Sequence, residues 1–195
     1  MKTTTRLRTL TGTAMLGAVA TLLMFIDFSV PFMPAFIKLD VSELPALLAA
    51  YAYGPVPGVA VCLIKNVVNL MRTSTAGVGE LCNFLLGVFF VLPAGWIYLR
   101  RKKRSGAVIG AVVGAVAMAV LSIPLNYFLT YPVYANFMPL DAILGMYQAI
   151  NPNMDGLLQC LIVFNAPFTL LKGALDAGLT FLIYKPLSPI LHGHR

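Results

Sequence analysis

PFMPAFIKLDVSELPALLAAYAYGPVPGVAVCLIKNVVNLMRTSTAGVGELCNF, residues 31–84, is the stretch on which the reading of this chain turns. Most of the sequence around it is oily enough to live in lipid, yet this segment carries Pro, Gly, Asn and charge. Broken or polar backbone at membrane depth is costly, and it survives where it is buried in protein or lines a cavity. A functional site is therefore expected here and on the helices that pack against it.

The composition outside the stretch sets the solvent. Of the 195 residues, 59% are hydrophobic and 11% charged, against about 25% charged in soluble domains. At about 20 residues per span the length accommodates roughly six helices with short loops. That makes residues 1–195 a single membrane domain, with no room for a soluble ATPase. The net charge of +7 is gathered in three places. Lys2, Arg6 and Arg8 precede the first apolar run, Arg100 to Arg104 form one block, and Lys185 and Arg195 lie near the end. The positive-inside rule puts all three in the cytoplasm. A stop-transfer flank accounts for the block more simply than nucleic-acid binding does.

Several chemistries find no support. Cys62, Cys82 and Cys160 lie in apolar stretches without metal-ligand spacing and read as small buried hydrophobes. His192 and His194 belong to a terminal tail expected to be disordered, not to a metal site. Ala18-Val19-Ala20 imitates a signal-peptide cleavage site, but the apolar run continues through Ile26, which suits a retained helix. There is no Walker A sequence, no His beside a Ser or Cys in the apolar runs, and no carboxylate cluster for a catalytic metal, so no enzyme and no cofactor is expected.

Working outward, the apolar runs give spans at about Thr9–Ile26, Leu44–Tyr53, Val59–Met71, Glu80–Leu99, Gly106–Leu129 and Leu157–Tyr184. The second and third are short, and the sequence from Gly54 to Gly58 breaks between them. Tyr131–Gly156 reads as a long loop. The fold class is thus an all-α integral membrane bundle of six transmembrane helices with both termini cytoplasmic. Residues 1–8 form the cytoplasmic N-terminus, 9–185 the bundle and 186–195 a cytoplasmic tail. Five spans would push the basic block or the C-terminus outside. With six, Asp27, Asp40, Glu43, Glu80, Asp141 and Asp155 all fall at or near the outer side.

Some side chains call for partners. Ala14, Gly17, Ala18 and Thr21 make one smooth face on the first span, for which internal packing is the plain reading. Gly106, Gly110 and Gly114 repeat the pattern on the fifth and read as internal packing. Lys172 and Asp176 share a helix face at i, i+4 and could neutralise each other. Lys65 is expected to pair with Glu80 across the turn Thr73–Gly79, with Asn66 and Asn83 nearby. The loop before Pro45 is dense in Phe36, Ile37, Leu39 and Val41 and so is expected to fold down as a lid. Asn126 lies among Tyr127, Phe128, Tyr131 and Tyr134 and needs either a partner or a ligand.

Four motifs in order, Lys38-Leu39-Asp40 with Ser42-Glu43-Leu44-Pro45, then Gly54-Pro55 to Gly58, then Leu63-Ile64-Lys65-Asn66, then Gly79-Glu80-Leu81 with Asn83-Phe84, resemble the riboflavin-specific S components of energy-coupling-factor (ECF) vitamin transporters. The resemblance runs to the end of the chain. It implies a multi-pass protein of the bacterial cell membrane that binds riboflavin as transported ligand. Its implied partners are a transmembrane coupling (T) protein, two ABC-type ATPases and the lipid bilayer. Ala14 and Ala18 match the family's AxxxA docking motif on the first helix. Leu39 and Asp40 match the lid pair that contributes ligand contacts, and Asn126 matches an amide that reads the flavin ring. The family pattern Pro-Phe-Asn-Leu-Leu-Lys-Gly meets Pro167-Phe168-Thr169-Leu170-Leu171-Lys172-Gly173 here. Lys172 matches, Thr169 replaces the amide, and Asn165 one turn earlier is the substitute for it. Asn83 is placed near the same pocket. FMN or another vitamin as ligand, and a stand-alone secondary transporter using Glu80 or Asp176 as a proton site, stay open.

Overall fold

The computed structural model describes the backbone of residues 2–34, 36–73 and 75–192, and side chains only within residues 6–184. Helix α1 (Lys2–Phe25) is followed by a small antiparallel ribbon of β1 (Phe28–Ser29) and β2 (Lys38–Leu39), with Phe28 opposite Leu39. A half-exposed ion pair between Lys38 and Asp27, 3.0 Å apart, sits beside the ribbon. The segment expected to form a lid therefore has secondary structure of its own.

Helices α2 (Glu43–Tyr53) and α3 (Pro55–Asn69) meet at Gly54. Its φ of +108° is reached cheaply only by glycine. The break is narrower than the Pro and Gly content implied, because Pro55 and Pro57 sit in the first turn of α3, where no N–H partner is missing. At 1.5 Å per residue, the 11 residues of α2 rise about 16 Å, well short of a 30 Å hydrocarbon core. Every residue of α2 from Glu43 to Tyr51 is buried by its neighbours.

After a 3₁₀ turn at Leu70–Arg72 come α4 (Val78–Arg100) and α5 (Arg104–Leu125). A π turn at Asn126–Thr130 carries α5 into α6 (Tyr131–Tyr134). Helix α7 (Leu140–Gln148) lies between the last two long stretches, and α8 (Leu157–Cys160) passes through a π turn at Leu161–Asn165 into α9 (Ala166–His192). The long loop expected at 131–156 is thus partly helical: Ile143 and Tyr147, four residues apart, bury one face of α7. Helix continues past residue 185, where a tail was expected, and closes at His192; His194 lies outside the described residues. Among the described residues, four helical stretches are long and apolar enough to cross a membrane: Arg6–Phe25, Val78–Arg100, Arg104–Tyr134 and Leu157–Tyr184.

Glycines set the closest approaches. A Cβ on Gly110 would lie 2.7 Å from the Ala94 carbonyl oxygen, and one on Gly114 2.2 Å from that of Phe90, so α5 rides directly on the backbone of α4. The expectation of internal packing for this face holds. On α1 the smooth face divides. Gly17 presses on Ile64 of α3 and Thr21 is buried, whereas Ala14 and Ala18 are exposed. The three cysteines are free and buried. The exposed basic turn between α4 and α5 marks one end of the bundle; the ribbon, the α3–α4 turn and α7 gather at the other.

Candidate functional site

Two adjoining cavities open at the end away from the basic turn. The outer one has a volume of about 570 Å³ and the deeper one about 210 Å³; Phe36, Lys38, Gly79, Asn83 and Tyr134 border both. Together they fall in the size range of small-molecule sites. The deeper cavity brings together Asn83, Asn126, Asn165, Thr169 and Lys172, and Asp40 lines the outer one. Leu39 lines neither, because β-pairing turns its side chain into the protein, where it is 4% exposed.

Two π turns place the amides. Each runs five residues and is followed, one residue later, by a proline: Asn126–Thr130 by Pro132, and Leu161–Asn165 by Pro167. A proline has no N–H for the carbonyl four residues back and its ring crowds that carbonyl; at these two sites the ladder before it runs i→i+5. Asn126 begins the first such turn and Asn165 ends the second. Asn126 Nδ2 donates to the Ser122 carbonyl at 2.8 Å and its oxygen accepts from the Cys82 thiol at 3.9 Å, which leaves one N–H and one oxygen lone pair for the cavity.

Beneath the lid lies a charge network. Lys172 Nζ meets Asp40 Oδ2 at 2.8 Å, and Asp40 Oδ1 also accepts from the backbone N–H and hydroxyl of Ser42. Lys65 Nζ, fully buried, donates to Glu43 at 2.5 Å and to Ser42 Oγ at 2.6 Å. Ser42 therefore bridges two ion pairs, one of which ties the lid to α9. Burial by itself would raise the Asp40 carboxyl, but Lys172 and Lys65, with the hydrogen bonds from Lys172 and Ser42, outweigh it and hold the group well below the usual carboxylate range.

The expected Lys65–Glu80 pair is therefore corrected, and the Lys172–Asp176 pair, one of two open readings, is not formed. Lys65 pairs with Glu43, not Glu80, because a helical side chain leans toward the N-terminus of its helix and so away from the α3–α4 turn. Asn69, one turn further on, reaches Glu80 instead at 3.1 Å, and Thr73 and Thr75 complete that carboxylate's shell. Lys172 pairs with Asp40, not Asp176, for the same reason. A Lys N-terminal to its acid at i, i+4 is also the weaker order. Neither carboxylate oxygen of Asp176, which is 0% exposed, meets a hydrogen-bond partner among the described residues.

Sequence reasoning missed Tyr147 and the role of α7. Tyr147 Oη donates to Asn165 Oδ1 at 2.7 Å and contacts Tyr131 Oη, and Phe36 of the lid stands edge-on to both rings. The signal was the i, i+4 pair of Ile143 and Tyr147 between Pro139 and Pro152. Arg72 also lines the outer cavity, its guanidinium 4.5 Å from the centre of the Phe25 ring.

Residues 8–184 match the profile of the family described as ECF transporter, substrate-specific component. The riboflavin transporter RibU of Staphylococcus aureus is 34% identical over 178 residues, covering 91% of this chain and 89% of that protein. The riboflavin transporter FmnP of Bacillus subtilis is 31% identical over 194 residues, 97% of each. A solved S component of a bacterial ECF transporter superposes with a TM-score of 0.75 at 32% identity, over 95% of this chain and 98% of that one.

Proposed function

Since this chain belongs to the family of ECF transporter substrate-specific components, we propose that it captures riboflavin outside the bacterial cell membrane and delivers it inward with an ATPase-driven partner complex. One observation carries the ligand. The deeper cavity combines Asn83, Asn126 and Asn165 with the rings of Phe36, Tyr131, Tyr134 and Phe168, and adds Thr169 and Lys172. A flavin needs that mixture: apolar faces for a flat tricycle, and paired donors and acceptors for its polar edge. The wider outer cavity, bordered by Asp27, Lys38, Asn69 and Glu80, suits the hydroxyl-bearing ribityl tail.

In this reading the six helical segments α1, α2, α3, α4, α5 and α9 are the six spans, α2 being wrapped by its neighbours enough to be short. Both termini and the basic turn face the cytoplasm, and the cavities open outside. The lid carrying Phe36 and Asp40 closes over the ligand, with Lys172 holding it through Asp40. Inward release requires a T protein and two ABC-type ATPases, with Ala14 and Ala18 as the docking face. Both alanines are exposed on α1, which supports that role.

A phosphorylated flavin is the second reading, favoured by Lys38 and Arg72 on the outer cavity. Titrating purified protein into riboflavin should quench flavin fluorescence with an endpoint at one ligand per chain. FMN should compete more weakly. No quenching at micromolar protein would remove the flavin assignment, and uptake that persists without any ATPase partner would favour stand-alone transport.

A further inference from the structure

Asn165, Tyr131 and Tyr147 close a ring of hydrogen bonds around the second π turn. Asn165 Nδ2 donates to Tyr131 Oη at 3.4 Å, the two phenol oxygens touch, and Tyr147 Oη donates to Asn165 Oδ1 at 2.7 Å. With the amide so placed, Tyr147 spends its hydrogen on Asn165, so its oxygen accepts from Tyr131, whose oxygen accepts from the amide; with both hydroxyls reversed the ring closes equally well around a turned-over amide. The ring uses one N–H and one lone pair of Asn165 and leaves one of each for the cavity that Asn165 lines.

Tyr147 itself is 0% exposed and borders neither cavity. Its ring is packed 5.5 Å from that of Phe164, and the edge-on ring of Phe36 lies 6.0 Å away. We propose that Tyr147, supplied by α7, is a positioning residue for ligand binding: with Tyr131 it anchors the Asn165 amide so that its remaining N–H and lone pair stay aimed into the cavity, and its ring packs against Phe36 of the segment above. An amide without that anchor would swing out of the plane in which it meets the ligand edge. This rests on the riboflavin reading of the cavity.

The test is a double-mutant cycle on riboflavin affinity, with thermal unfolding measured in parallel. Tyr147→Phe keeps the ring and its packing and removes only the hydroxyl. Tyr147→Phe and Asn165→Ala should each weaken binding roughly fivefold to tenfold, and the double variant should bind as Asn165→Ala does, within about twofold. Tyr131→Phe, which breaks the same ring elsewhere, should likewise lose less in the Asn165→Ala background than alone. If Tyr147→Phe weakens binding by the same factor with and without Asn165, or leaves the affinity of the otherwise unaltered protein unchanged, the positioning role is wrong. A merely structural tyrosine would lower the unfolding temperature without that coupling. Absence of riboflavin binding by the unaltered protein is the separate result that removes the functional reading, and the positioning role with it.

Discussion

At the scale of single residues, Asn126 illustrates how a polar group is kept in a helix at acceptable cost. One N–H is returned to the backbone at Ser122, the oxygen accepts from the Cys82 thiol, and one N–H and one lone pair remain for the cavity. Asn126→Ala should therefore weaken riboflavin binding more than Thr169→Ala, by roughly tenfold to a hundredfold, since an unpaired buried partner costs about 1–3 kcal/mol. Calorimetric titration of both variants checks the order. The charged residues make a contrasting case. Lys65 and Glu43 are 0% and 1% exposed and bonded to each other, whereas Asp176 is buried with no hydrogen-bond partner among the described residues. Lys65→Met should cost about 3–5 kcal/mol of stability by stranding Glu43. Asp176→Leu should be neutral or stabilising, because it removes a polar group without orphaning another. Thermal unfolding in detergent separates the two. The sequence identified these charges but not their partners: spacing along one helix offered Asp176 to Lys172, while the true partner, Asp40, lies 132 residues away in the chain.

At the scale of elements, the outward alanines of α1 and the inward Gly17 show one helix serving two neighbours. Ala14→Leu with Ala18→Leu should abolish uptake while leaving the riboflavin titration unchanged, because leucines there hold a docking helix away without touching the inner packing. Loss of ligand binding in the same protein would show that this face matters to the fold itself. The long helices were legible because some 20 apolar residues admit no other reading. The inner and outer halves of α1 were not, since Ala, Gly and Thr look alike on a smooth stripe until a neighbour such as Ile64 is seen. The π turns were half legible. Pro132 and Pro167 were visible, but a proline in an apolar run signals a break, a kink or a slipped ladder equally well. Only packing against the cavity selects the last, and with it the placement of Asn126 and Asn165. Helix α7 was hidden because its buried face is just Ile143 and Tyr147 on nine residues.

At the scale of the whole molecule, the order of segments and the segregation of basic residues from the cavity end followed from composition, whereas the burial of α2 did not. No property of ELPALLAAYAY says that it will be wrapped by α1, α3, α4 and α9. That wrapping bears on how the chain is made. A segment this short, beginning with Glu43, gives the insertion machinery no free-standing stop signal, and α3 carries Lys65 in mid-helix; a lone charge there is penalised by about 2.5–3.5 kcal/mol. The hairpin should therefore partition as one unit with its ion pair already formed. A cotranslational insertion assay with glycosylation reporters on residues 43–69 checks this. Were the charges to enter independently, Glu43→Gln would improve insertion by removing one of them. A paired hairpin should instead insert less well with Glu43→Gln, and at least as well as the original when Glu43→Leu is combined with Lys65→Leu. The salt bridge under the cavity would then be a passport for biogenesis before it serves the folded protein, and substitutions at either residue would show themselves first as missing protein in the membrane.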